Sequence, residues 1–227
     1  MASDGITVFM ADAQNGADYN KPYSDNQLSR QSCERLKKQI SVENLITLDQ
    51  RHSADITEVN AMNFTSVNGS AGDGLFSSGI ELALGIMTAD CFPVMLAGKK
   101  YIAALHCGWR GTVKGIIDNA AAMFAEHGDA PEYAYIGAGI SKDAFCVRDD
   151  FIAEVKRYID PEKYLSEKNR GRFFDLARLI KDRLKYHNVG IVESLGVCSY
   201  RDKRFHSYRR DGKDAGRSLS VIYRRGH

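Results

Sequence analysis

Two residues in the segment TADCFPVMLAGKKYIAALHCGWRG, Thr88 to Gly111, have side chains suited to chemistry, Cys91 and His106. The segment is typical of an apolar hairpin with a Gly-X turn at Gly98-Lys99, which places Cys91 opposite His106. Directly opposed residues have Cβ atoms roughly 4.5–5.5 Å apart. This spacing suits two ligands of one metal ion, or a thiol with its base. A buried cysteine and a core histidine remain an equal alternative. Pro93 would fall in a hydrogen-bonded pair of this register without an N–H to donate.

The residues after His106 favour the functional interpretation. The strand leads through Cys107-Gly108-Trp109-Arg110-Gly111 into a strongly predicted helix. Backbone N–H groups at the start of a helix, with Arg110 beside them, form a natural anion site. Trp109 is also readily interpreted as an anchor between that helix and the core.

His52, in the polar sequence DQRHSAD, is a third candidate ligand, although a histidine in a loop is often only solvated. Two histidines and one cysteine would form a zinc site with an open fourth position, the arrangement of catalytic rather than structural zinc. A metal in such a site activates water near neutral pH.

Interleaved strands and helices must position these residues. The predicted strands are ITVFM (6–10), two short strands on either side of a polar interruption at 49–53, ELALGIMTA, PVML, YIAALHC, YAYIGAGI, VGIVESLGVCSY and SLSVIY. The predicted helices cover 26–40 with Asp25 as its cap, 113–124 with Gly128 beyond its end, 150–159 and 175–187. Residues 63–79, rich in Gly, Ser and Asn, read as a long loop. We therefore predict an α+β fold, with mixed β-sheets flanked by helices in a single domain spanning residues 1–227.

The composition limits the possible functions. The chain has 227 residues and a formal net charge of +2, which does not suggest a partner among nucleic acids. We expect no membrane partner either, because no run of eighteen apolar residues occurs, and the start of the sequence does not resemble a signal peptide. The five cysteines, an odd number, predict free thiols in a reducing compartment. The cytoplasm is thus the expected location.

Five motifs, in order along the chain, resemble the YfiH-type laccase-domain family, whose members are described as polyphenol oxidases or purine nucleoside phosphorylases. The motifs are QRHSADI, TADCFPVML, HCGWRG, YIGAGISKDAFCV and RFHSYRRDGKDAGR. The resemblance runs from about residue 45 to the C-terminus. It implies an α+β fold that is also compared with bacterial toxin deamidases.

The resemblance implies a metal site formed by His52, Cys91 and His106, the same three residues reached from spacing. It implies zinc as the cofactor, with purine nucleosides and phosphate as substrates. Family members phosphorolyse adenosine, inosine, guanosine or methylthioadenosine, and some deaminate adenosine. This chain differs from the family pattern in its first 40 residues and at His206, where Phe is common.

Further site residues are expected around the metal. Arg110, with Arg209 and Arg210 of the last motif, could bind phosphate, although surface ion pairing is as plausible for the last two. Asp90 could orient a metal-bound histidine or serve as a proton shuttle in deamination, or it could only cap a turn. Asp73 could contact substrate or stabilise a turn.

The same residues are compatible with other activities. A metal-free hydrolase or deamidase would use Cys91 as nucleophile and His106 as its base, and it would not need His52. A copper-dependent polyphenol oxidase is weakly supported, because multicopper chemistry needs more histidines than the six present, although copper could occupy a His/Cys site. The usual zinc-deaminase scaffold is excluded, since H-x-E with P-C-x-x-C is missing. A pocket that binds a ligand without turnover is the non-enzymatic alternative.

Overall fold

The structure is a computed structural model. It describes residues 5–11, 13, 16–22, 24–168 and 171–226. The signal-peptide prediction and the predicted domain both include residues 1–4, which lie outside this part. Within these ranges, no helix has the length and apolarity needed to cross a membrane.

Thirteen strands and seven helices form in the described part of the chain. The strands are β1 (Ile6–Ala11), β2 (Asn44–Ile46), β3 (Ile56–Glu58), β4 (Gly74–Ser77), β5 (Leu82–Thr88), β6 (Phe92–Ala97), β7 (Ile102–Cys107), β8 (Tyr133–Ile136), β9 (Cys146–Val147), β10 (Leu165–Lys168), β11 (Gly171–Phe174), β12 (Ile191–Ser194) and β13 (Ser218–Arg224). The helices are α1 (Gln27–Ile40), α2 (Phe64–Val67), α3 (Trp109–Val113), α4 (Ile116–Glu126), α5 (Asp149–Val155), α6 (Leu176–Tyr186) and α7 (Tyr208–Asp211).

Two sheets form the centre of the fold. The larger has six strands in the order β12-β8-β6-β7-β4-β3, and the smaller has four in the order β1-β13-β5-β2. Both combine parallel and antiparallel pairs, and a three-stranded sheet, β10-β11-β9, lies beside them. The predicted α+β class with mixed sheets is therefore confirmed.

Side-chain alternation along the strands divides the core into layers. Leu105 and Cys107 of β7 pack with α4 and α6 on one face of the large sheet. Ile102 and Ala104, which point the other way, pack against β5 and β13 of the small sheet. The outer face of the small sheet is covered by α1, through Leu36 and Ile40 among others. His106 has the same parity as Ile102 and Ala104, so it belongs to the face between the two sheets.

The hairpin has a different register from the predicted one. His106 lies opposite Pro93, not Cys91, because the turn is centred on Lys99-Lys100 rather than Gly98-Lys99. The Asp129 carboxylate accepts hydrogen bonds from the backbone N–H groups of residues 99, 100 and 101, which fixes the turn there. The slip of two residues keeps every side chain on its predicted face.

The new register also removes the difficulty at Pro93. Gly98 N–H donates to the Tyr101 carbonyl, so alternation along the hairpin makes Pro93 and His106 a non-hydrogen-bonded pair. The N–H of His106 points to the other neighbouring strand and donates to the Asp73 carbonyl at 2.8 Å. A proline therefore fits at this position.

Three local predictions were wrong. Helix α1 is capped by Asn26, whose side chain accepts a hydrogen bond from Ser29 N–H, and not by Asp25. The predicted loop 63–79 contains helix α2 and strand β4. The helix predicted over 113–124 is two helices, α3 and α4, which separate at Gly115 because this residue has a left-handed φ of 94°.

Candidate metal centre

Three side chains from separate segments meet at one point. One nitrogen from each of His52 and His106 and the Cys91 sulfur all lie within 4.8 Å of one another. The two imidazole rings are 4.8 Å apart at their centroids and meet edge to face. One ion can contact all three atoms, so the structure brings the predicted ligands together.

The fold explains why Cys91 and His106 meet although they are not directly opposed. Cys91 directly precedes β6, and His106 is the penultimate residue of β7. Cys91 is two positions from Pro93, which is paired with His106, so both side chains emerge on the same face of the sheet. Diagonal neighbours of this kind are within reach of long side chains.

The buried carboxylate of Asp73 holds both the loop of His52 and the ring of His106 in place. Its oxygens accept hydrogen bonds from the backbone N–H groups of Arg51, His52 and Ser53, at 3.0, 2.9 and 2.6 Å. Its Oδ1 atom also lies 2.7 Å from Nδ1 of His106. Asp73 thereby fixes the loop of His52 and leaves Nε2 of His106 as the nitrogen available to a metal. Carboxylates commonly orient metal-binding histidines in this way.

Asp73 is therefore not where the sequence interpretation expected it. Its side chain is fully buried behind His106, and it does not line the cavity described below. The strand pairing explains this position. Gly74 of β4 pairs with Leu105 of β7 in an antiparallel register, so the next pair of residues is Asp73 with His106. The apolar pair Leu75-Phe76 within the supposed loop was the signal for this strand.

The glycines of the GWRG segment allow close packing around the ligands. A Cβ atom at Gly108 would lie 2.9 Å from the Cys91 sulfur and 3.1 Å from Cδ2 of His52. A Cβ atom at Gly111 would lie 2.5 Å from the Ser53 carbonyl oxygen. Helix α3 therefore packs directly on the loop that carries His52. The donor set, its buried carboxylate and this close-fitting cradle together fit a bound metal ion.

The half-buried Cys91 and the buried His106 have strongly shifted pKa values. Burial disfavours the ionised thiol of Cys91, but the imidazolium of His106 and hydrogen bonds from His106 and His52 outweigh burial and lower the pKa of Cys91 to about 6. Burial likewise disfavours the charged His106, but the Cys91 thiolate and the Asp73 carboxylate raise the pKa of His106 to about 9. Without metal, Cys91 is therefore a thiolate and His106 an imidazolium at pH values between about 6 and about 9.

A cavity of about 350 Å³ opens above the ligands. This volume lies in the range of roughly 300–1,000 Å³ that is usual for small-molecule sites. Its lining includes the three candidate ligands and three aromatic side chains, Trp109, Phe145 and Tyr208. Trp109 also packs against Phe151 at a centroid distance of 4.7 Å, so it both anchors the helix, as the sequence suggested, and forms part of the wall.

Strained backbone is concentrated in this wall. Six non-glycine residues of the described part have a left-handed φ, and three of them, Lys21, His52 and Asp90, line the cavity. Such conformations cost of order 1–3 kcal/mol each and are found mainly at functional sites.

The predicted arginines separate into two groups. Arg209 lines the cavity, whereas Arg110 and Arg210 are not among its lining residues. The Arg110 guanidinium lies 4.2 Å from the centre of the Trp109 ring. Arg210 donates to the backbone carbonyls of Ser199 and Phe205 and pairs with Asp211, so it is occupied in stabilising the C-terminal loop.

Helix α3 offers little of the predicted anion site. It has only five residues, because the predicted long helix is interrupted at Gly115. Arg110 turns to the Trp109 ring instead of toward the cavity. The combination of helix start and arginine was therefore a misleading signal here.

Asp90 lines the cavity but does not orient either histidine in the described structure. Its Oδ1 accepts a hydrogen bond from the Ser199 hydroxyl at 2.7 Å, and its Oδ2 accepts one from the backbone N–H of Arg209 at 2.6 Å. It thus connects the Cys91 loop to the start of α7, and the orienting role belongs to Asp73.

Two basic lining residues were missed by the sequence interpretation. Lys21 comes from the N-terminal segment, which differs from the family pattern. Arg217 closes the motif RFHSYRRDGKDAGR, whose predicted phosphate ligands are Arg209 and Arg210. The motif was a signal for Arg217, whereas the sequence around Lys21 carried none.

Comparison with known proteins gives a consistent result. The sequence model of the family described as multi-copper polyphenol oxidoreductase laccase matches residues 16–225. A purine nucleoside phosphorylase of Pseudomonas aeruginosa is 32% identical over 184 residues, which cover 78% of this chain and 72% of that one. The purine nucleoside phosphorylase YfiH of Escherichia coli is 30% identical over 187 residues, covering 78% and 73%.

A solved structure agrees over nearly the whole chain. The crystal structure of a Neisseria meningitidis protein superposes with a TM-score of 0.83 at 28% identity, covering 99% of this chain and 96% of that chain. The resemblance drawn from the five motifs is thereby confirmed.

Proposed function

This chain belongs to the multi-copper polyphenol oxidoreductase laccase family, and we propose that it is a zinc-dependent purine nucleoside phosphorylase. The observation that carries the proposal is the convergence of His52, Cys91 and His106 at the base of a cavity lined by aromatic and basic side chains. The relatives named as purine nucleoside phosphorylases support the same activity.

The proposed zinc ligands are the three converging residues. Two imidazoles and a thiolate are preferred zinc donors, and three protein ligands leave one position open. Bound zinc would supply Lewis acidity to a substrate oxygen or to water. Asp73 holds the Nδ1 atom of His106, so this ring presents Nε2 to the centre. Cys91 supplies the thiolate at neutral pH, since its pKa is lowered to about 6.

The aromatic walls suit a purine base. Trp109, Phe145 and Tyr208 line the cavity, and stacking of a base on an aromatic side chain contributes about 1–3 kcal/mol. In phosphorolysis, a phosphate oxygen forms a bond to C1′ of the ribose while the bond from C1′ to the base nitrogen breaks. The base leaves with the electron pair and takes up the proton of the phosphate, so base and ribose 1-phosphate are the products.

Deamination of adenosine and phosphorolysis of methylthioadenosine are proposed as further reactions of the same cavity. In deamination, Asp90 is the acidic side chain of the wall nearest in sequence to the ligands and would move the proton. We also propose the cytoplasm as the location, because all five cysteines are free thiols.

Purified protein incubated with adenosine and inorganic phosphate tests the proposal. Chromatography should detect adenine and ribose 1-phosphate, and adenine should require both zinc and phosphate. Inosine as the main product would assign the chain to deamination instead. Recovery of unchanged adenosine, with inosine, guanosine and methylthioadenosine equally unchanged, would reject nucleoside turnover.

One observation favours a second candidate, a metal-free hydrolase or deamidase. Asp73, His106 and Cys91 contact one another in that order, so the Cys91 thiolate lies beside an imidazolium that the Asp73 carboxylate orients. This is the arrangement of a cysteine nucleophile and its base. This mechanism needs no ligand at position 52. Retention of activity in metal-stripped protein, and in the variant His52→Ala, would favour it.

Copper-dependent polyphenol oxidation has less support. Among the described residues, His52, Cys91 and His106 form the single group of three His, Cys, Asp or Glu side chains that could share an ion. A multicopper enzyme needs several such groups. Oxidation of a phenol by the copper-loaded protein, at a rate above that of free copper, would be needed to restore this activity.

A further inference from the structure

We propose that Arg209, Arg217 and Lys21 form an anion subsite in the cavity, and that in the proposed phosphorolysis it receives inorganic phosphate. This inference rests on the proposed function for the identity of the anion. It assigns the anion to residues from the two ends of the chain rather than to the start of α3.

Arg217 is the best-held of the three cations. Its Nη1 atom donates to the carbonyl oxygens of Ala215 and Gly216 at 2.7 and 2.9 Å. Its backbone is fixed as well, because Arg217 N–H donates to the Asp18 carboxylate at 2.8 Å. Among the described residues it forms no ion pair, so a half-buried guanidinium beside the cavity keeps its charge and its remaining N–H groups available.

Arg209 has a similar arrangement on another part of the wall. Its Nη1 atom donates to the Cys146 carbonyl at 3.1 Å, and its guanidinium lies 5.7 Å from the centre of the Phe145 ring. No carboxylate pairs with this side chain in the described part of the structure, since the Asp90 carboxylate takes the backbone N–H of Arg209 instead. Anchoring by a carbonyl orients a cation without neutralising it.

Lys21 completes the subsite from the N-terminal segment. The Asp18 carboxylate that holds Arg217 also accepts Asn20 N–H at 2.9 Å, so one side chain sets the relative position of the two cations. The Lys21 ammonium is 3.8 Å from Asp49, whose carboxylate also pairs with Arg51. Lys21 is thus partly neutralised, and its contribution should be the smallest.

The chemistry of these groups selects a doubly charged oxyanion. Guanidinium groups present paired N–H donors that match phosphate oxygens, and charge-assisted hydrogen bonds of this kind are the strong ones. The wall has three cations, Lys21, Arg209 and Arg217, against two carboxylates, Asp49 and Asp90, and Asp49 also pairs with Arg51 outside the wall. The cavity therefore keeps a net excess of available positive charge.

The test is calorimetric titration of the zinc-loaded protein with inorganic phosphate in the absence of nucleoside. We expect Arg217→Gln to raise the Kd for phosphate about tenfold to a hundredfold, the usual effect of losing one hydrogen bond between charged groups. Arg209 is exposed but unpaired among the described residues, so Arg209→Gln should raise it about threefold to tenfold. Lys21→Gln should raise it only about twofold to fivefold, because that side chain is exposed and paired. Arg157→Gln, which removes an equal charge at an exposed ion pair outside the cavity, is the matched control and should leave Kd unchanged.

The outcomes separate this inference from the proposed function. Equal phosphate affinity in the wild type and in both arginine variants, or no binding to the wild type, would overturn the subsite even if adenosine is cleaved. A weakened affinity in the variants, with no cleavage by the wild type, would keep the subsite and reject phosphorolysis. Should Arg217→Gln fail to fold, as judged by circular dichroism, the exposed Arg209 and Lys21 variants decide. In turnover assays, the KM for phosphate should rise with Kd, and the KM for adenosine should change less.

Discussion

Asp73 and His106 are joined twice, by a side-chain hydrogen bond of 2.7 Å from Nδ1 to Oδ1 and by a backbone bond of 2.8 Å from His106 N–H to the Asp73 carbonyl. Both side chains are buried, at 0 and 4% exposure. Burial works against ionisation of Asp73, but hydrogen bonds and charge from His106, with the N–H of Ser53, outweigh it and lower the pKa of Asp73 to about 2. The carboxylate thus stays ionised and fixes the ring at neutral pH.

Replacing Asp73 with Asn should weaken the metal centre. The amide cannot serve as acceptor for all of the donors that now point at the carboxylate, so we expect zinc affinity to fall about 10–100-fold and the free energy of unfolding to fall by about 2 kcal/mol. Chelator competition and urea unfolding measure these effects. Asp129→Asn is the matched control, because Asp129 also accepts several backbone N–H groups but lies at the hairpin turn. It should cost stability and leave zinc affinity intact; an equal loss of zinc affinity in both variants would contradict the role of Asp73.

The reactivity of Cys91 in metal-stripped protein should depend on pH with a midpoint near 6. Its thiol pKa is lowered to about 6 from an ordinary value of 9.0, and only the thiolate is alkylated, so the rate should rise as pH increases through 6. His106→Gln removes the imidazolium and should move the midpoint upward. Alkylation by iodoacetamide, followed by peptide mass spectrometry, measures the rate. Buried Cys107, whose pKa is raised by burial and by the charge of Cys91, is an internal control that should stay unmodified. A Cys91 midpoint above 8 would refute the ion pair.

Removing the imidazole of His52 should separate the two catalytic candidates. His52 is exposed, but its left-handed φ of 60° suits histidine better than alanine, so His52→Ala should lower the free energy of unfolding by about 1 kcal/mol, which leaves the protein folded. We expect this variant to lose zinc on dialysis and to lose nucleoside turnover. His127→Ala, at a histidine that pairs with Glu58 away from the cavity, should keep both. Elemental analysis and the adenosine assay give the two readouts. Turnover by zinc-free His52→Ala would leave the Cys–His hydrolase as the better description.

A methyl group at position 108 should disturb the ligands without a backbone penalty. Gly108 has φ −72° and ψ 161°, which alanine also adopts, but the added Cβ would lie 2.9 Å from the Cys91 sulfur. Gly108→Ala should therefore lower zinc retention while circular dichroism remains unchanged. In Gly190→Ala the nearest atom to the new Cβ is 3.5 Å away, so that variant should bind zinc normally. Normal zinc retention in Gly108→Ala would mean that the ligands can move aside.

The sequence predicted the site residues best where both the residue type and its spacing along a strand pointed to the same function. The face shared by Cys91 and His106 follows from strand alternation, which a register error of two residues does not change. The register itself depends on Asp129, about thirty positions away, and no local pattern reports that contact. The convergence of His52, Cys91 and His106 was therefore predictable, whereas the strand pairing that produces it was not.

Residues that act through long-range contacts were not predictable in the same way. Asp73 looked like a loop residue because glycines and serines surround the short strand β4. Lys21 lines the cavity in a segment that Asp18 connects to Arg217, almost two hundred positions later. Arg110 stood in the most suggestive position and turned to the Trp109 ring instead.

The pairing of β1 with β13 has a consequence for how the molecule is made. β1 is an edge strand whose neighbour in the sheet is β13, and Ile6 pairs with Arg224, so β1 cannot pair until the end of the chain has been synthesised. At translation speeds of 5–20 residues per second, Arg217 leaves the ribosome roughly 5–20 s after His106. The part of the cavity wall that contains Arg217 is therefore completed only after nearly the whole chain has left the ribosome.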